Sequence, residues 1–340
     1  MATLKDIGRR LNLSVTTVSR ALNGFPEVNE ATLILVVKTA KEMNYKPNQF
    51  AQKLVTGKSR MVCMIVKATP ELSANAHFME TVTGLSLQFS ERGMHFILHM
   101  SNDEDPLEAY RSMSAGGIVD GFILTRPQIG DVRVKFLRDN KIPFVMHGRV
   151  LDDNDYPYYD IENCGAARQA TDHLLSLGHR RISFLNGPAD FVFAVRRRTG
   201  FLEALAAHGV KDIDVHHNLM TSEYGYIITK RILAETGGPR RTAFLCANTL
   251  IAEGVYRAVE EAGLRIPEDI SVVSHDDAVP LRRALDFNPP LTVTRSPLRE
   301  SFEPLADTLM KYIKGDAVET LQTLVKPELI IRQSTCPPPV

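Results

Sequence analysis

Several polar side chains stand directly after short apolar runs of the sequence, where buried strands are expected to end. They are Thr125, Arg126, Arg149, Asn248 and Asp276, and Arg197 lies at the start of an amphipathic stretch. Each one alone is typical of a solvated loop end. Together they offer hydroxyl, guanidinium, amide and carboxylate groups, which suit a polyhydroxylated small molecule held by planar hydrogen-bonding side chains.

The sequence contains no set of residues typical of catalysis. It has no Gly-x-x-x-x-Gly-Lys-Ser/Thr phosphate loop, no Gly-x-Gly-x-x-Gly after a strand and no Gly-x-Ser-x-Gly. His173 and His179 lack an acidic partner at metal-ligand spacing, and the four cysteines are isolated. We therefore predict a binding protein without catalytic residues, metal ion or cofactor, and we expect it not to be an enzyme.

From residue 61 onward, predicted strands alternate with predicted helices, and these elements must position the side chains. Strand-length apolar runs followed by stretches of helical periodicity are typical of parallel sheets with crossover helices. Predicted strands cover 61–66, 96–100, 121–124, 143–146, 181–185, 213–219, 243–246 and 271–274. Predicted helices cover 78–93, 108–116, 132–140, 165–177, 195–208, 222–235 and 249–262. Because ligands of such folds lie beyond the carboxyl ends of the strands, we predict two α/β lobes with a cleft between them.

The first 46 residues have a different, all-α pattern. Leu4, Ile7 and Leu11 share one helical face after the N-cap Thr3, and Ser14 caps a second helix. Two short helices joined in this way form a helix-turn-helix, whose second helix enters the major groove of DNA by its first turn. A third helix begins near residues 29–30.

The second helix offers two kinds of contact with double-stranded DNA. Val15 suits a thymine methyl group, Thr16 a base edge and Arg20 the paired acceptors of a guanine. Short hydroxyls suit phosphate oxygens and set position along the duplex; they belong to Ser14, Thr17 and Ser19.

Charge is distributed unevenly along the chain, although the net charge is zero. Residues 1–60 contain ten Lys and Arg against four acids, a net charge of +6, and the remainder contains 30 against 36, a net charge of −6. A basic head on an acidic body suits a head that approaches phosphates. No apolar run approaches the length of a membrane span and the N-terminus has no signal-peptide pattern, so we expect a cytoplasmic protein.

Three stretches of the head carry a dense resemblance to a known family. They are Thr3-Leu4-Lys5-Asp6-Ile7, Leu13-Ser14-x-x-Thr17-Val18-Ser19-Arg20-Ala21-Leu22-Asn23 and Asn44-Tyr45-x-Pro47-Asn48. They resemble the head of the LacI/GalR family of bacterial transcriptional regulators. Leu177-Gly178-His179-Arg180-Arg181-Ile182 and Ile266-Pro267-x-x-Ile270-Ser271-Val272-Val273 extend the resemblance into the body. It implies a periplasmic-binding-protein-like core and a repressor of sugar-utilisation genes whose operator affinity is changed by a saccharide.

The resemblance also implies a role for residues 47–57, which could otherwise be an ordinary linker. Asn48 can cap a short helix over 49–55, and about two turns is below the roughly 12–15 residues that an isolated helix needs. In the family such helices pair across a dimer, and a leucine matching Leu54 wedges into the minor groove and kinks the duplex. We therefore expect a hinge helix that folds only when it is paired on DNA.

Residue by residue, the resemblance and the local reading together give two predicted sites. The predicted DNA contacts are Thr3, Ser14, Val15, Thr16, Thr17, Ser19, Arg20, Asn23, Asn48, Ala51 and Leu54. The predicted effector contacts are Phe78, Thr125, Arg126, Arg149, Arg197, Asn248 and Asp276. The chain departs from the family's usual residues at Leu33 (arginine), Gly148-Arg149 (an acid), Thr249 (an acid) and Ser274-His275 (Gly-Tyr or Gly-Phe). His147-Gly148-Arg149 and Thr125-Arg126-Pro127 are similar to sequences of members that respond to maltose-like α-glucosides.

We expect a helix-turn-helix domain at 1–46, a hinge at 47–59 and an effector-binding and dimerisation core at 60–340. The first lobe of the core is expected near 60–161 and 291–321, and the second near 162–290 and 322–340. A twofold operator favours a homodimer. We expect no membrane partner. Two other classes share parts of the pattern: a sugar-binding protein of the transport type, which should carry a signal peptide, and a sugar-acting enzyme with a DNA-binding head, which should carry a phosphate loop or a nucleophile set.

Overall fold

A computed structural model of the protein describes residues 2–45, 57–69, 72, 76–152, 154–236, 238–276, 278 and 283–339. The chain divides into two compact units, Met1–Ser59 and Arg60–Val340. We call them the head and the body.

The head contains three described helices: α1 (Leu4–Leu11), α2 (Val15–Leu22) and α3 (Glu30–Glu42). Each begins after a side chain whose oxygen accepts a hydrogen bond from a backbone N–H of the first turn, namely Thr3, Ser14 and Asn29. Their inward faces form a small core of Ile7, Val18, Ala21, Val36 and Ala40. The predicted helix-turn-helix and its third helix are confirmed.

The body contains twelve strands and eight further α-helices within its described residues. The strands are β1 (Met61–Lys67), β2 (His95–Ser101), β3 (Gly121–Thr125), β4 (Phe144–His147), β5 (Tyr158–Ile161), β6 (Ile182–Asn186), β7 (Val215–His217), β8 (Ala243–Cys246), β9 (Ser271–Asp276), β10 (Thr292–Arg295), β11 (Gln322–Val325) and β12 (Glu328–Ile330). The helices are α4 (Ala76–Glu91), α5 (Glu108–Ser114), α6 (Val132–Asp139), α7 (Asn163–Ser176), α8 (Val192–Ala207), α9 (Ser222–Leu233), α10 (Thr249–Glu261) and α11 (Phe302–Lys314).

Two six-stranded sheets organise the body into two lobes. The first lobe has the strand order β11-β5-β4-β3-β1-β2, and every neighbouring pair in it is parallel. The second has the order β12-β10-β9-β8-β6-β7, and only the pairing of β10 with β12 is antiparallel. The predicted α/β body with parallel sheets is confirmed.

Helices cover both faces of the first sheet, which explains its continuous apolar strands. Successive strand residues point to opposite faces, so Val62 and Met64 join one core cluster and Cys63 joins the other. Phe122 and Ile123 divide between the two clusters in the same way. A single cluster fills the second lobe, from Leu174 on α7 to Val293 on β10.

The chain passes between the lobes three times. It leaves the first sheet after β5, returns to it after β10, and joins the second sheet again after β11. The second and third passages therefore lie near residues 296–301 and 326–327, a few residues beyond the approximate limits expected at 290 and 321. The short strands β11 and β12 pair with strands that are distant in sequence. No local sequence pattern therefore indicates where the chain changes sheet.

Candidate functional site

The outward face of α2 presents the side chains predicted to contact bases. Val18 and Ala21 point into the core of the head, which leaves Val15, Thr16 and Arg20 on the opposite face. Val15 is 46% exposed although it is apolar, and Thr16 and Arg20 are exposed as well. A methyl pair, a hydroxyl and a guanidinium on one short helical face match the acceptors and methyl groups of a major groove.

The remaining predicted contacts of the head also hold its local structure. Ser14 Oγ accepts from the N–H of Thr17 at 3.0 Å and lies 2.8 Å from Thr17 Oγ1. Asn23 Nδ2 donates to the carbonyl of Ser19 at 2.8 Å. Thr3 accepts from the N–H of Asp6, and the hydrogen bond from its hydroxyl lowers the pKa of the Asp6 carboxyl. These contacts fix the ends of α1 and α2, so a phosphate contact of Thr3, Ser14 or Asn23 would come in addition to a capping role.

The turn between α1 and α2 depends on a glycine. A Cβ atom on Gly8 would lie 2.7 Å from the carbonyl oxygen of Leu13, and the N–H of Leu13 donates to the carbonyl of Gly8 at 2.9 Å. Only a residue without a side chain allows this close approach. Leu33, which departs from the family's usual arginine, packs against the core of the head. The predicted hinge contacts Asn48, Ala51 and Leu54 lie outside the described residues.

A cleft of about 310 Å³ lies between the two lobes, at the carboxyl ends of their parallel strands. The first lobe lines it with the ends of β1, β3, β4 and β5 and with part of α4. The second lobe contributes the start of α7, the first half of α8 and the segment that follows β8. We call this space the interlobe cleft.

Six of the seven predicted effector contacts line the interlobe cleft: Phe78, Thr125, Arg126, Arg149, Arg197 and Asn248. Asp276 is not among the described lining residues. Strand β9 continues through Asp276 instead of ending at residue 274, and this buried carboxylate accepts the N–H of Ala278 at 2.7 Å. A ligand role for each of these residues stays a prediction.

Arg149 is held by a buried acid on the neighbouring strand. Its Nε donates to Asp160 Oδ2 at 2.7 Å, and its guanidinium lies 5.4 Å from the ring centre of Tyr158. Burial raises the pKa of the Asp160 carboxyl, and the guanidinium opposes this rise. Gly148, with φ of 108°, places its α-carbon against Pro127, where a Cβ would lie 2.8 Å from the proline ring. The Gly148-Arg149 departure therefore lets the chain turn sharply into the cleft.

Arg197 is buried in the opposite wall. Its Nε donates to Asn163 Oδ1 at 2.8 Å and its Nη1 to the carbonyl of Ala247 at 2.7 Å. Asn248 follows directly; its Oδ1 accepts from the N–H of Ile251 and so caps α10. The Nδ2 group of Asn248 lies 3.4 Å from the carbonyl of Met220, a long bond that a ligand acceptor can replace.

Aromatic rings give the interlobe cleft its apolar surface. Phe191 and Phe193 stack with ring centres 6.0 Å apart, and Phe78 is supplied by the other lobe. The guanidinium of Arg126 lies 4.6 Å above Phe191, and burial lowers its pKa. A pocket with ring faces and a few fixed donors binds molecules that are apolar on one face and polar at the edge.

The two lobes also touch directly at the rim of the cleft. The N–H of Ile129 donates to the carbonyl of Asp190 at 2.9 Å, and the N–H of Val192 to that of Pro127 at 3.0 Å. Gln128 Nε2 donates to Asp190 Oδ2 at 3.0 Å. We call this antiparallel contact of 127–129 with 190–192 the interlobe bridge.

Comparison with known proteins follows the same division into head and body. Residues 3–48 match the bacterial regulatory proteins of the lacI family, and residues 171–335 match a periplasmic binding protein-like domain. The HTH-type transcriptional regulator AglR of Rhizobium meliloti (strain 1021) is 40% identical over 339 residues, which are 99% of this chain and 95% of that protein. The chain belongs to the lacI family.

Solved structures of lacI-family regulators have the same fold. A complex of the transcriptional regulator CelR with cellobiose is 30% identical, with a TM-score of 0.71, over 98% of this chain and 100% of that one. The lac repressor dimer bound to operator and the anti-inducer ONPF is 26% identical, with a TM-score of 0.81, over 98% and 99%. The protein is thus a helix-turn-helix transcriptional regulator, and its core suits ligand-modulated DNA binding. As a bacterial DNA-binding regulator of the lacI family, it acts in the cytoplasm.

Sequence reasoning missed several residues that line the cleft of this lacI-family member, among them His77, Asp160, Asn163 and Phe193. Asp160 offered a signal, because a charged residue interrupts the otherwise apolar run Tyr158–Ile161. The other three carry no distinguishing local pattern.

The described residues hold no group of three or more His, Cys, Asp and Glu side chains placed to bind a metal ion. None of the helices in the described part of the chain is both long and apolar enough to cross a membrane.

Proposed function

We propose that the interlobe cleft binds a saccharide of the α-glucoside class and that this binding lowers the affinity of the head for its operator. The observation that carries the proposal is the lining of the cleft, where fixed guanidinium groups from both lobes stand beside phenyl rings. Planar guanidinium forks match vicinal hydroxyls, and the apolar face of a pyranose ring packs on aromatic rings.

Several arginines of the cleft already donate hydrogen bonds to protein groups, which favours a neutral ligand. Among the described lining residues there are four arginines and one acid. Arg149 pairs with Asp160, Arg196 donates to the carbonyl of Val150 at 3.0 Å, and Arg197 donates to an amide and a carbonyl. An acidic sugar is the second candidate, because the lining carries more positive than negative charge.

The relatives support a saccharide effector and a dimer. The CelR structure contains cellobiose, and the lac repressor structure is a dimer on its operator. We propose that this protein likewise acts as a homodimer on a twofold operator, with the base contacts on α2 and the hinge contacts Asn48, Ala51 and Leu54. We also propose the limits 1–46 for the DNA-binding domain, 47–59 for the hinge and 60–340 for the core.

We further propose that the effector is bound and not consumed. The curated relatives are transcriptional regulators, and the sequence contains no catalytic motif. An effector recovered unchanged after prolonged incubation with the protein is the expected result.

The test is a binding panel followed by a DNA assay. Maltose, trehalose, sucrose, cellobiose and galacturonate are titrated by calorimetry, and each binder is then added to the complex with an operator selected from random duplexes. We expect an α-glucoside to bind and to release the DNA. Binding of galacturonate alone would favour the acidic-sugar candidate, and no binding within the panel would contradict the proposal.

The matched pair of variants is Arg197→Lys and Arg198→Lys on α8. Arg197 is buried at the cleft and Arg198 is exposed. Only the first change should weaken saccharide binding, and both variants should keep the operator affinity of the wild type.

A further inference from the structure

Two arginines face the interlobe cleft from different lobes, and each is held by a hydrogen bond from its own Nε atom. Arg149, just after β4 of the first lobe, is held through its Nε by Asp160 at 2.7 Å. Arg197, on α8 of the second lobe, is held through its Nε by Asn163 at 2.8 Å. A guanidinium fixed at Nε keeps its plane and so the directions of its terminal N–H groups. One of these groups, Arg197 Nη1, donates to the carbonyl of Ala247 at 2.7 Å.

The two acceptors are neighbours on one short segment. Asp160 lies in β5 and Asn163 begins α7, three residues later, where the chain passes from the first lobe to the second. Asn163 Nδ2 donates to the carbonyl of Ile161 at 3.0 Å and lies 3.5 Å from Asp160 Oδ1. The contacts therefore form one series, Arg149–Asp160–Asn163–Arg197, across the lobe junction.

Burial strengthens the hydrogen bonds of this series. The side chains of Arg149 and Asp160 are 14% and 7% exposed, and Asn163 and Arg197 are buried. Hydrogen bonds to charged groups gain strength where water is excluded, and a buried member that loses its partner is costly. We expect a rotation of one lobe about residues 161–163 to change the Asp160–Asn163 contact, because it is the link of the series that joins the two lobes.

We propose that Asp160 and Asn163 are positioning residues that fix the guanidinium groups of Arg149 and Arg197 relative to each other. One ligand can then engage both groups only at one angle between the lobes. The inference rests on the proposed function of the cleft. A ligand that needs both guanidinium groups then stabilises that lobe angle, because it binds the other angles less tightly. Asp160 and Asn163 act through the arginines and need no contact with the ligand.

The first test uses the ligand-free full chain. Arginine ¹⁵Nε–¹H resonances are recorded and assigned with Arg149→Lys and Arg197→Lys. In Asp160→Asn both resonances should shift, although Asp160 contacts only Arg149 of the two. An Arg197 resonance that stays in place would overturn the proposal. Asp139→Asn, which removes an exposed carboxylate 2.6 Å from Lys135 on α6, is the control and should shift neither.

The second test measures coupling, with maltose as the probe. Loss of a hydrogen bond to a charged group predicts a decrease in affinity of about tenfold in Asp160→Asn. Asp160→Asn combined with Arg149→Gln should lose clearly less than the sum of the two single losses, because part of the effect of Asp160 passes through Arg149. Additive losses would overturn the proposal, because Asp160 would then act independently of Arg149.

If Asp160→Asn does not fold, Asp160→Glu keeps the charge, displaces the carboxylate by one methylene and should shift the same two resonances. Absence of saccharide binding in the wild-type protein would contradict the proposed function, whereas the resonances decide the positioning role without any ligand.

Discussion

Removal of the Arg20 guanidinium tests how the head reads DNA. Arg20 is exposed on α2, opposite the buried Val18 and Ala21, so Arg20→Ala leaves the core of the head unchanged. Substitutions at such a surface change the free energy of unfolding by less than about 0.5 kcal/mol. An effect on DNA binding can therefore be assigned to the contact itself.

The expected loss of binding free energy in Arg20→Ala follows from the number of contacts with guanine. An arginine fork on a guanine contributes about 1–3 kcal/mol to discrimination. A homodimer on a twofold operator makes the contact twice, so Arg20→Ala should cost about 2–6 kcal/mol, roughly 30-fold to 10⁴-fold in affinity. An arginine that contacts only phosphate would instead weaken all sequences alike and reduce the salt dependence by about one ion per contact.

The assay compares sequence preference as well as affinity. The operator is selected from random duplexes with the wild-type protein, and every single-base variant of it is titrated with wild type and Arg20→Ala. Preference should relax at one base pair in each half-site. Arg9→Ala, which removes an exposed arginine from α1, is the control and should retain the full preference. Equal losses on all sequences for Arg20→Ala would refute the base contact.

Three further predictions concern the turn, the bridge and pH. Gly8→Ala should destabilise the head by about 1–3 kcal/mol, because the new Cβ meets the Leu13 carbonyl. Calorimetry should show a lower unfolding temperature for the head alone. An unchanged unfolding temperature would contradict the prediction. Gln128→Ala removes one bond of the interlobe bridge and should speed saccharide dissociation about two- to tenfold in stopped-flow measurements; an unchanged rate would mean that the bridge does not retain the ligand. Burial alone would raise the pKa of Asp214, but the imidazole of His216, 2.9 Å away, and the hydrogen bond from Ser183 lower it to about 2. Stability that is present above the ordinary pKa of 3.8 should therefore fall as the pH drops towards 2. Asp214→Asn should abolish this part of the pH dependence of Tm, and parallel curves for both proteins would exclude the effect.

The elements predicted well from sequence are those fixed by local interactions. Thr3 and Ser14 cap helices through atoms within three residues, so their spacing alone locates α1 and α2. Helix α5 ends at Ser114, before the predicted 116, because Gly116 and Gly117 adopt positive φ. Such an end is visible in the sequence only as a pair of glycines.

The elements and site residues missed from sequence depend on distant partners. Strand β5 holds Asp160 in the interior, which is tolerable only because Arg149 comes from another strand. Strand β11 has exposed central residues and is a strand because it pairs with β5, more than 150 residues earlier. Asn163 has no local feature of a site residue; its role arises from Arg197 on a different helix.

The order of the strands has a consequence during synthesis of the chain. Strand β5 ends at Ile161, but its outer neighbour β11 begins only at Gln322. At about 5–20 residues per second, the ribosome leaves this edge of the first sheet without its partner for about 10–30 s. An open strand edge can pair with another chain, whereas the three helices of the head are complete by Glu42 and have no such edge. The nascent chain therefore has a complete helix-turn-helix long before it has a complete sensor, and until β11 is made the edge of β5 can pair with another chain.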